Sequence, residues 1–259
     1  MIYPVILCGG EGKRFGGDIP KQFQSVVSNK PMVIETALRY RGPIFENPVF
    51  VTNERHHDML SEMIDEEGLN AQAILTEVEP RNTGPAIALA LRYIQSLDPQ
   101  AMVFITPSDH QMEQGLSPLI DALKVFDGRD VIACFGANPT YSETGYGYVK
   151  AGDEIGDGFY NVSQFIEKPN ANLAQKLCRN ANVFWNMGLF FGRAQTFINA
   201  YKKHGNDIWS LSKEAELLPQ SPHISFDYAI MEKINNVVIC PLNIEWRDIG
   251  VKPLEHQHD

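Results

Sequence analysis

Ile2-Tyr3-Pro4-Val5-Ile6-Leu7-Cys8-Gly9-Gly10 is the stretch that decides the fold. A short apolar run ending on paired glycines reads as a buried strand that delivers the chain into a tight loop. Downstream, Pro31 marks the start of a helix through Leu38 and Tyr40, because proline suits the first helical turn. Pro48-Val49-Phe50-Val51-Thr52 predicts a second strand, residues 54–67 a second helix closed by Gly68 as C-cap, and residues 72–76 a third strand. Ile87, Ala90, Leu91, Ile94 and Leu97 recur at helical spacing behind Pro85, which predicts one buried stripe. Residues 101–106 predict a fourth strand, broken by Pro107. Strand and helix alternate, so the expected class is α/β, a doubly wound, mostly parallel sheet. Ligands in such sheets bind beyond the carboxyl ends of the strands. Chemistry is therefore expected in the loops after strands one, three and four.

The second half is less regular. It holds Gly145-Tyr146-Gly147-Tyr148-Val149, a strand over 162–167, a helix from about Asn170, and Trp185-Asn186-Met187-Gly188-Leu189-Phe190-Phe191. With no repeat, low-complexity run or linker between the halves, a single domain over 1–259 sharing one core is expected. A chain of 259 residues with 44% hydrophobic content is neither disordered nor a disulfide miniprotein. No apolar run approaches the roughly 20 residues of a membrane helix. The N-terminus has no basic segment ahead of its apolar stretch, so no signal peptide and a cytoplasmic location are expected. Lys plus Arg is 22 against 32 for Asp plus Glu, a net charge of -10 that speaks against nucleic-acid binding. A few converging cations suffice for a small anion. Cys8, Cys134, Cys178 and Cys240 are far apart and read as reduced, mostly buried thiols.

The first loop continues as Glu11-Gly12-Lys13-Arg14-Phe15-Gly16-Gly17, followed by Pro20-Lys21-Gln22-Phe23. Dense glycine lets backbone N–H groups approach phosphate oxygens. It is not a Walker A loop, because Arg14 stands where Ser or Thr belongs. Nor is it the dinucleotide fingerprint, because Phe15 stands where the third glycine belongs. What remains is a glycine turn with Lys13, Arg14 and Lys21 close by, read as a phosphate site rather than a solvated surface turn. After the third strand, in Glu79-Pro80-Arg81-Asn82-Thr83-Gly84-Pro85-Ala86, Thr83 is the expected N-cap ahead of a helix start that suits anions. Arg81 offers a fork for phosphate, and Asn82 an amide for a base edge or hydroxyl. In Pro107-Ser108-Asp109-His110, Asp109 at a strand's carboxyl end suits Mg²⁺ held jointly with substrate phosphates; the other reading is a turn-initiating Asp. Ser, Asp and His adjacent in sequence do not make a hydrolytic triad. His110 reads as structural or as support for a neighbouring ligand. Glu167-Lys168-Pro169, Asn186, Asp227-Tyr228 and Trp246-Arg247-Asp248-Ile249-Gly250 supply the carboxylates, amides and aromatic faces that a neutral polyol needs. His56, His57, His256 and His258 read as surface residues.

These segments resemble the sugar-1-phosphate nucleotidylyltransferases, most closely the mannose-1-phosphate guanylyltransferases. The resemblance rests on GGEGKRF…PKQF (9–23), EPRNTGPAIALA (79–90), PSDH (107–110), PTYSETGYGYV (139–149), FIEKP (165–169), FWNMGLFFGRA (184–194), FDYAIMEK (226–233) and WRDIG (246–250), collinear over almost the whole chain. It implies a Rossmann-like nucleotide-diphospho-sugar transferase fold, with a nucleotide-binding half over 1–136 and a smaller sugar-phosphate-binding α+β lobe over 137–259. By resemblance, Leu7, Gly9, Gly10, Gly12, Lys13, Arg14, Arg81, Asn82, Pro107 and Ser108 would bind the nucleotide. Arg14, Lys21 and Asp109 would be catalytic, with Asp109 and Asp248 as Mg²⁺ ligands. Gly147, Glu167, Lys168, Asn186, Gly188 and Asp227 would line the mannose 1-phosphate site. The implied reaction is in-line attack of the sugar phosphate on the α-phosphorus of GTP, giving GDP-mannose and pyrophosphate. No side-chain nucleophile is needed, and a homodimer is left open.

Phe15-Gly16-Gly17-Asp18-Ile19 replaces a longer run in the guanylyltransferases and is similar to the compact loop of the cytidylyltransferases that make methylerythritol cytidyl diphosphate. Another nucleotide, or another hexose or heptose 1-phosphate, therefore stays open. So does a non-catalytic regulatory homologue that binds a nucleotide sugar. The family's Asn-Ser-Gly is Asn186-Met187-Gly188 here, and its frequent C-terminal region does not follow Gly250.

Overall fold

A computed structural model of the protein describes residues 1–10, 19–112, 117–126 and 130–249. The first half alternates as expected: β1 (Ile2–Leu7), α1 (Met32–Arg39), β2 (Val49–Asn53), α2 (His57–Glu66), β3 (Ala73–Glu77), α3 (Thr83–Leu97) and β4 (Met102–Pro107). Then come β5 (His110–Met112), α4 (Ser117–Val125), β6 (Ile132–Ala137), β7 (Tyr148–Gly156), β8 (Phe159–Ile166), α5 (Ala171–Cys178) and β9 (Val183–Arg193). The series closes with α6 (Ala194–His204), α7 (Asn206–Leu211), β10 (Val237–Pro241) and β11 (Trp246–Asp248). Among the described residues, no helix is long and apolar enough to cross a membrane.

Nine strands form one mixed sheet in the order β3-β2-β1-β4-β9-β6-β10-β8-β7. The first four are parallel, as the alternating pattern predicts. At β9 the sheet turns antiparallel, since β9 runs against both β4 and β6. It also pairs with β7, so β6, β10, β8, β7 and β9 close on one another. The period of two in a strand explains the doubly wound packing. Val5, Val49 and Val51 face α3, while Ile6 and Phe50 face α1 and α2.

α3 is the clearest case of sequence dictating structure. Ile87, Leu91 and Ile94 are fully buried against the sheet, and covering each contributes roughly 1.5–3 kcal/mol. Two expectations fail at its ends. Leu97 is 42% exposed, because the helix stops there and the stripe has run past the edge of the sheet. The N-cap is Asn82, not Thr83: Asn82 adopts φ +73° and its side chain accepts from Thr83 N–H at 2.8 Å. Thr83 is already helical, and its hydroxyl accepts from Phe226 N–H at 2.9 Å. The amide caps the helix, which frees the hydroxyl to tie its start to the segment before Asp227. At α2, Gly68 takes φ +60° as the C-cap, with Leu69 N–H donating back to Ile64 O.

The two ends of the stripe make opposite predictions for chemical denaturation. Leu91→Ala should lower unfolding free energy by about 2–5 kcal/mol, whereas Leu97→Ala should stay within about 0.5 kcal/mol.

Candidate active site

The first four strands end on one edge of the sheet. Gly9 and Gly10 follow β1, and Ser108 and Asp109 follow β4, stitched to β1 by Ser108 N–H donating to Leu7 O at 3.1 Å. The short strand β5 leaves this edge and meets β11 antiparallel, with Asp248 opposite His110. Ile249 N–H donates to Asp109 O at 3.1 Å. Pairing between distant parts of the chain thus brings Asp248 beside Asp109. One donor atom each from Asp109, His110 and Asp248 lies within 4.8 Å of the others.

Lys21 approaches the same carboxylates, its Nζ lying 2.5 Å from Asp109 Oδ2 and 3.6 Å from Asp248 Oδ1. It opens a single 3-10 turn, Lys21–Phe23, that is fixed to the glycine loop by Gln22. The buried Gln22 amide donates to Cys8 O at 2.9 Å and to Gly10 O at 2.6 Å. Burial pushes the Asp109 carboxyl up, but the His110 and Lys21 charges and the Lys21 hydrogen bond outweigh it and leave it below its usual value. Burial lowers His110, against the raising pull of Asp109 and Asp248.

A cleft of about 550 Å³ opens from these carboxylates over the ends of β1 and β3. Leu7, Gly9, Gly10, Asn82, Pro107 and Ser108, the described residues that the resemblance assigns to the nucleotide apart from Arg81, come together on its wall. Gly12, Lys13 and Arg14 lie outside the described residues. Arg81 turns instead to Glu79, Nη2 to Oε1 at 3.0 Å, and is not among the lining residues. Sequence reasoning missed Glu77. It is 3% exposed, its Oε1 has no hydrogen-bond partner, and burial raises it to about 7 against the lowering effect of an Arg81 backbone bond. Gly9 is needed beside it, because a Cβ there would stand 2.8 Å from Glu77 Oε2. A lone acid ending an apolar strand next to a glycine loop was the available signal.

A smaller cavity of about 210 Å³ continues past Asp109. Gly147, Glu167, Lys168, Asn186, Gly188 and Asp227 all line it, together with His110 and Asp248. Two sets of polar contacts hold them. Asn186 Nδ2 donates to Asp227 Oδ1 at 2.8 Å, Asn186 Oδ1 accepts from Gly188 N–H at 3.1 Å, and Lys168 pairs with Glu167. Gly188, at φ +64°, allows the turn in β9 that aims Asn186 inward. Burial, then the neighbouring Glu167, push Asp227 up to about 7 against the lowering effects of a backbone bond, Lys168 and Asn186. At Gly147 a Cβ would come 2.5 Å from Glu167 Oε2. Trp246, from a segment read as supplying an aromatic face, is also on the wall, and Tyr146 joins it without having been assigned a role from sequence. The two cavities share Leu7, Thr83, Pro107 and Asp109, so a group in one meets a group in the other at Asp109.

The chain resembles known proteins along nearly its whole length. The chain is similar to the xanthan biosynthesis protein XanB of Xanthomonas campestris pv. campestris, 33% identical over 96% of this chain and 57% of that protein. It is 32% identical to the mannose-1-phosphate guanylyltransferase RfbM of Salmonella typhimurium, over 95% of this chain and 56% of the relative. It therefore spans little more than half the length of these curated relatives. Among solved structures, a Thermus thermophilus protein described as a mannose-1-phosphate geranyltransferase superposes with a TM-score of 0.86 at 23% identity, covering 96% of this chain and 76% of that one. A Helicobacter pylori protein described as a mannose-6-phosphate isomerase gives 0.80 at 24% identity, covering 95% and 99%. At those identities the likeness is one of fold, the nucleotide-diphospho-sugar transferase fold. The nucleotidyl transferase family model matches residues 3–253, and the chain belongs to that family.

Proposed function

We propose that this chain transfers GMP from GTP to α-D-mannose 1-phosphate, giving GDP-mannose and pyrophosphate. The observation that carries the reading is Asp109 on the wall common to both cavities, where a nucleotide in the larger and a sugar phosphate in the smaller would meet. Relatives that bear the guanylyltransferase name support the substrate pair. A phosphate oxygen of the sugar attacks the α-phosphorus, that O–P bond forms, and the bond to the leaving pyrophosphate breaks. No covalent enzyme intermediate is required. Positioning and charge stabilisation dominate such transfers.

Asp109 and Asp248 fit a divalent cation by donor type and by spacing, and Mg²⁺ is the ion assigned to them here. When bound, such an ion neutralises phosphate charge at the reacting centre. Lys21 adds a second cation beside it, and Lys168 a third at the far side of the sugar cavity. Asn186, Glu167 and Asp227 face the sugar as hydrogen-bonding groups. Residues 1–136 serve the nucleotide and 137–259 the sugar phosphate, within a cytoplasmic enzyme. Glu77 supports guanine over other bases, because a buried carboxyl acceptor matches the N–H donors on that base's pairing edge.

Pyrophosphate release, with the four nucleoside triphosphates crossed against mannose, glucose and glucosamine 1-phosphates, should appear for GTP with mannose 1-phosphate. Release with a different pair overturns the specificity and keeps the mechanism. Asp109→Asn should cut kcat by about 10²–10³-fold or more with an unchanged melting temperature; full activity would remove Asp109 from the centre. Gly147→Ala should raise KM for the sugar phosphate and leave KM for GTP alone, since the clash is confined to Glu167 and Asn186. Glu77→Gln should erode the preference for GTP by tenfold or more, on the order of the 1.5–3 kcal/mol of a hydrogen bond to a charged group. Equal losses for all four nucleotides would assign Glu77 to the scaffold.

A further inference from the structure

We propose that His110 is a third ligand at the metal centre, so that the site binds Mn²⁺ more tightly than Mg²⁺. The inference rests on the reading that Asp109 and Asp248 hold a divalent cation and goes beyond it by adding an imidazole nitrogen to their oxygens.

The geometry sorts the groups around Asp109 into two sides. Oδ2 holds Lys21 at 2.5 Å, while Oδ1 faces His110 Nε2 at 4.0 Å. Lysine and cation therefore need not compete for one oxygen. Ligand bonds of about 2.0–2.2 Å place neighbouring donors roughly 3–4 Å apart around one ion. The three donors lie within 4.8 Å of one another, and a bound ion would draw them closer to that spacing.

His110 is also held as a ligand must be. Its side chain is only 6% exposed, and its ring stands edge-on to Trp246 at 5.2 Å and 86°. Its carbonyl accepts from Arg39 Nη1 at 2.7 Å, and its backbone is paired across to Asp248. Yet Nδ1 is buried with no hydrogen-bond partner among the described residues. A buried imidazole normally has its polar atoms satisfied. That orphan is not the nitrogen assigned as ligand: Nε2 is the one that faces Asp109 Oδ1, at 4.0 Å, so a rigid ring on the cavity wall sets Nε2 beside the two carboxylates.

The chemistry fixes the preference. Oxygen donors alone suit Mg²⁺, whereas an imidazole in the set favours transition ions, and carboxylates remain good ligands for Mn²⁺. Mn²⁺ accepts both donor types. Orientation of the ring by Trp246 and the strand pair plays the part that outer-shell partners play at other metal sites.

Pulsed EPR of the full chain loaded with Mn²⁺ alone tests this. The expected result is nitrogen modulation from a coordinated imidazole, lost in His110→Gln, with Mn²⁺ affinity falling by roughly 10–100-fold, a range taken from losses of supporting residues at other sites, and Mg²⁺ affinity falling less. Growth on heavy-nitrogen histidine should change the modulation in the unsubstituted protein, so an imidazole ligand is tested without any variant. Asp248→Asn, which leaves His110 intact, should also weaken Mn²⁺ binding and diminish the modulation. Mn²⁺ bound without nitrogen modulation, or with modulation unchanged in His110→Gln, overturns the proposal and leaves the two-carboxylate reading standing. Mn²⁺ binding that fails, or that ignores Asp248→Asn, overturns the metal centre itself.

Discussion

The main chain of β9 pairs along one edge with β4 and then β7, and along the other with β6, and the placement of both cavities depends on that seating. Met187, Leu189 and Phe191 anchor the strand in the apolar layer shared with Phe104, Phe135 and Trp185. Because side chains alternate along a strand, fixing those residues turns Asn186 and Phe190 toward the other face, where both line the sugar cavity. A slip of one residue would turn Asn186 into the apolar layer, away from Asp227. Opposite Cys134 to Gly136 of β6, β9 carries two extra residues between Asn186 and Phe190, and Gly188 at φ +64° takes up that bulge. The edge built by β1 and β4 therefore gains a second wall that a purely parallel sheet would lack.

Charge organises the space between those walls. Two carboxylates meet at Asp109 and Asp248, and Lys21 sits against both. At an effective dielectric near 20, unit charges about 4 Å apart interact by roughly 4 kcal/mol. That is large against the stability of a whole domain, about 5–15 kcal/mol. Lys21 thus has a structural effect beside the catalytic role proposed for it. It lets β11 approach β5 at all, since uncompensated repulsion between the carboxylates would oppose a pairing only three residues long.

Most of the first half was legible because its signals are local. The apolar run into Gly9-Gly10 and the stripe Ile87-Leu91-Ile94 announce β1 and α3 from neighbouring residues alone. The exceptions lie where tertiary contacts choose between local options. Asn82 and Thr83 are both good caps, and the Phe226 N–H that engages Thr83 comes from far along the chain. The pairing of Trp246–Asp248 with His110–Met112 has no periodicity to read, being too short, and only resemblance placed Asp248 beside Asp109. Glu77 escaped for a related reason. The acid at the end of an apolar strand marks the position, but burial and a missing partner are properties of surroundings that the strand itself does not report.

The two cavities differ in charge in a way that would orient the sugar phosphate proposed as substrate. Glu167 and Asp227 lie at the sugar end with Lys168 as their cation and Asn186 between them, while Lys21 stands at the Asp109 end. Carboxylates accept hydrogen bonds from hydroxyls and repel a phosphate dianion. A molecule with hydroxyls at one end and phosphate at the other is then favoured in one direction, ring toward Asp227 and phosphate toward Lys21. Reversal would place the dianion against two acidic groups and the hydroxyls against an ammonium already paired to Asp109. Orientation of this kind supplies much of what such a transfer needs, on the order of 7–11 kcal/mol of barrier lowering when attacking and reacting atoms are held in line. The raised Asp227 carboxyl fits the same picture, since a partly protonated acid beside Glu167 both accepts and donates to sugar hydroxyls while easing the repulsion between the pair.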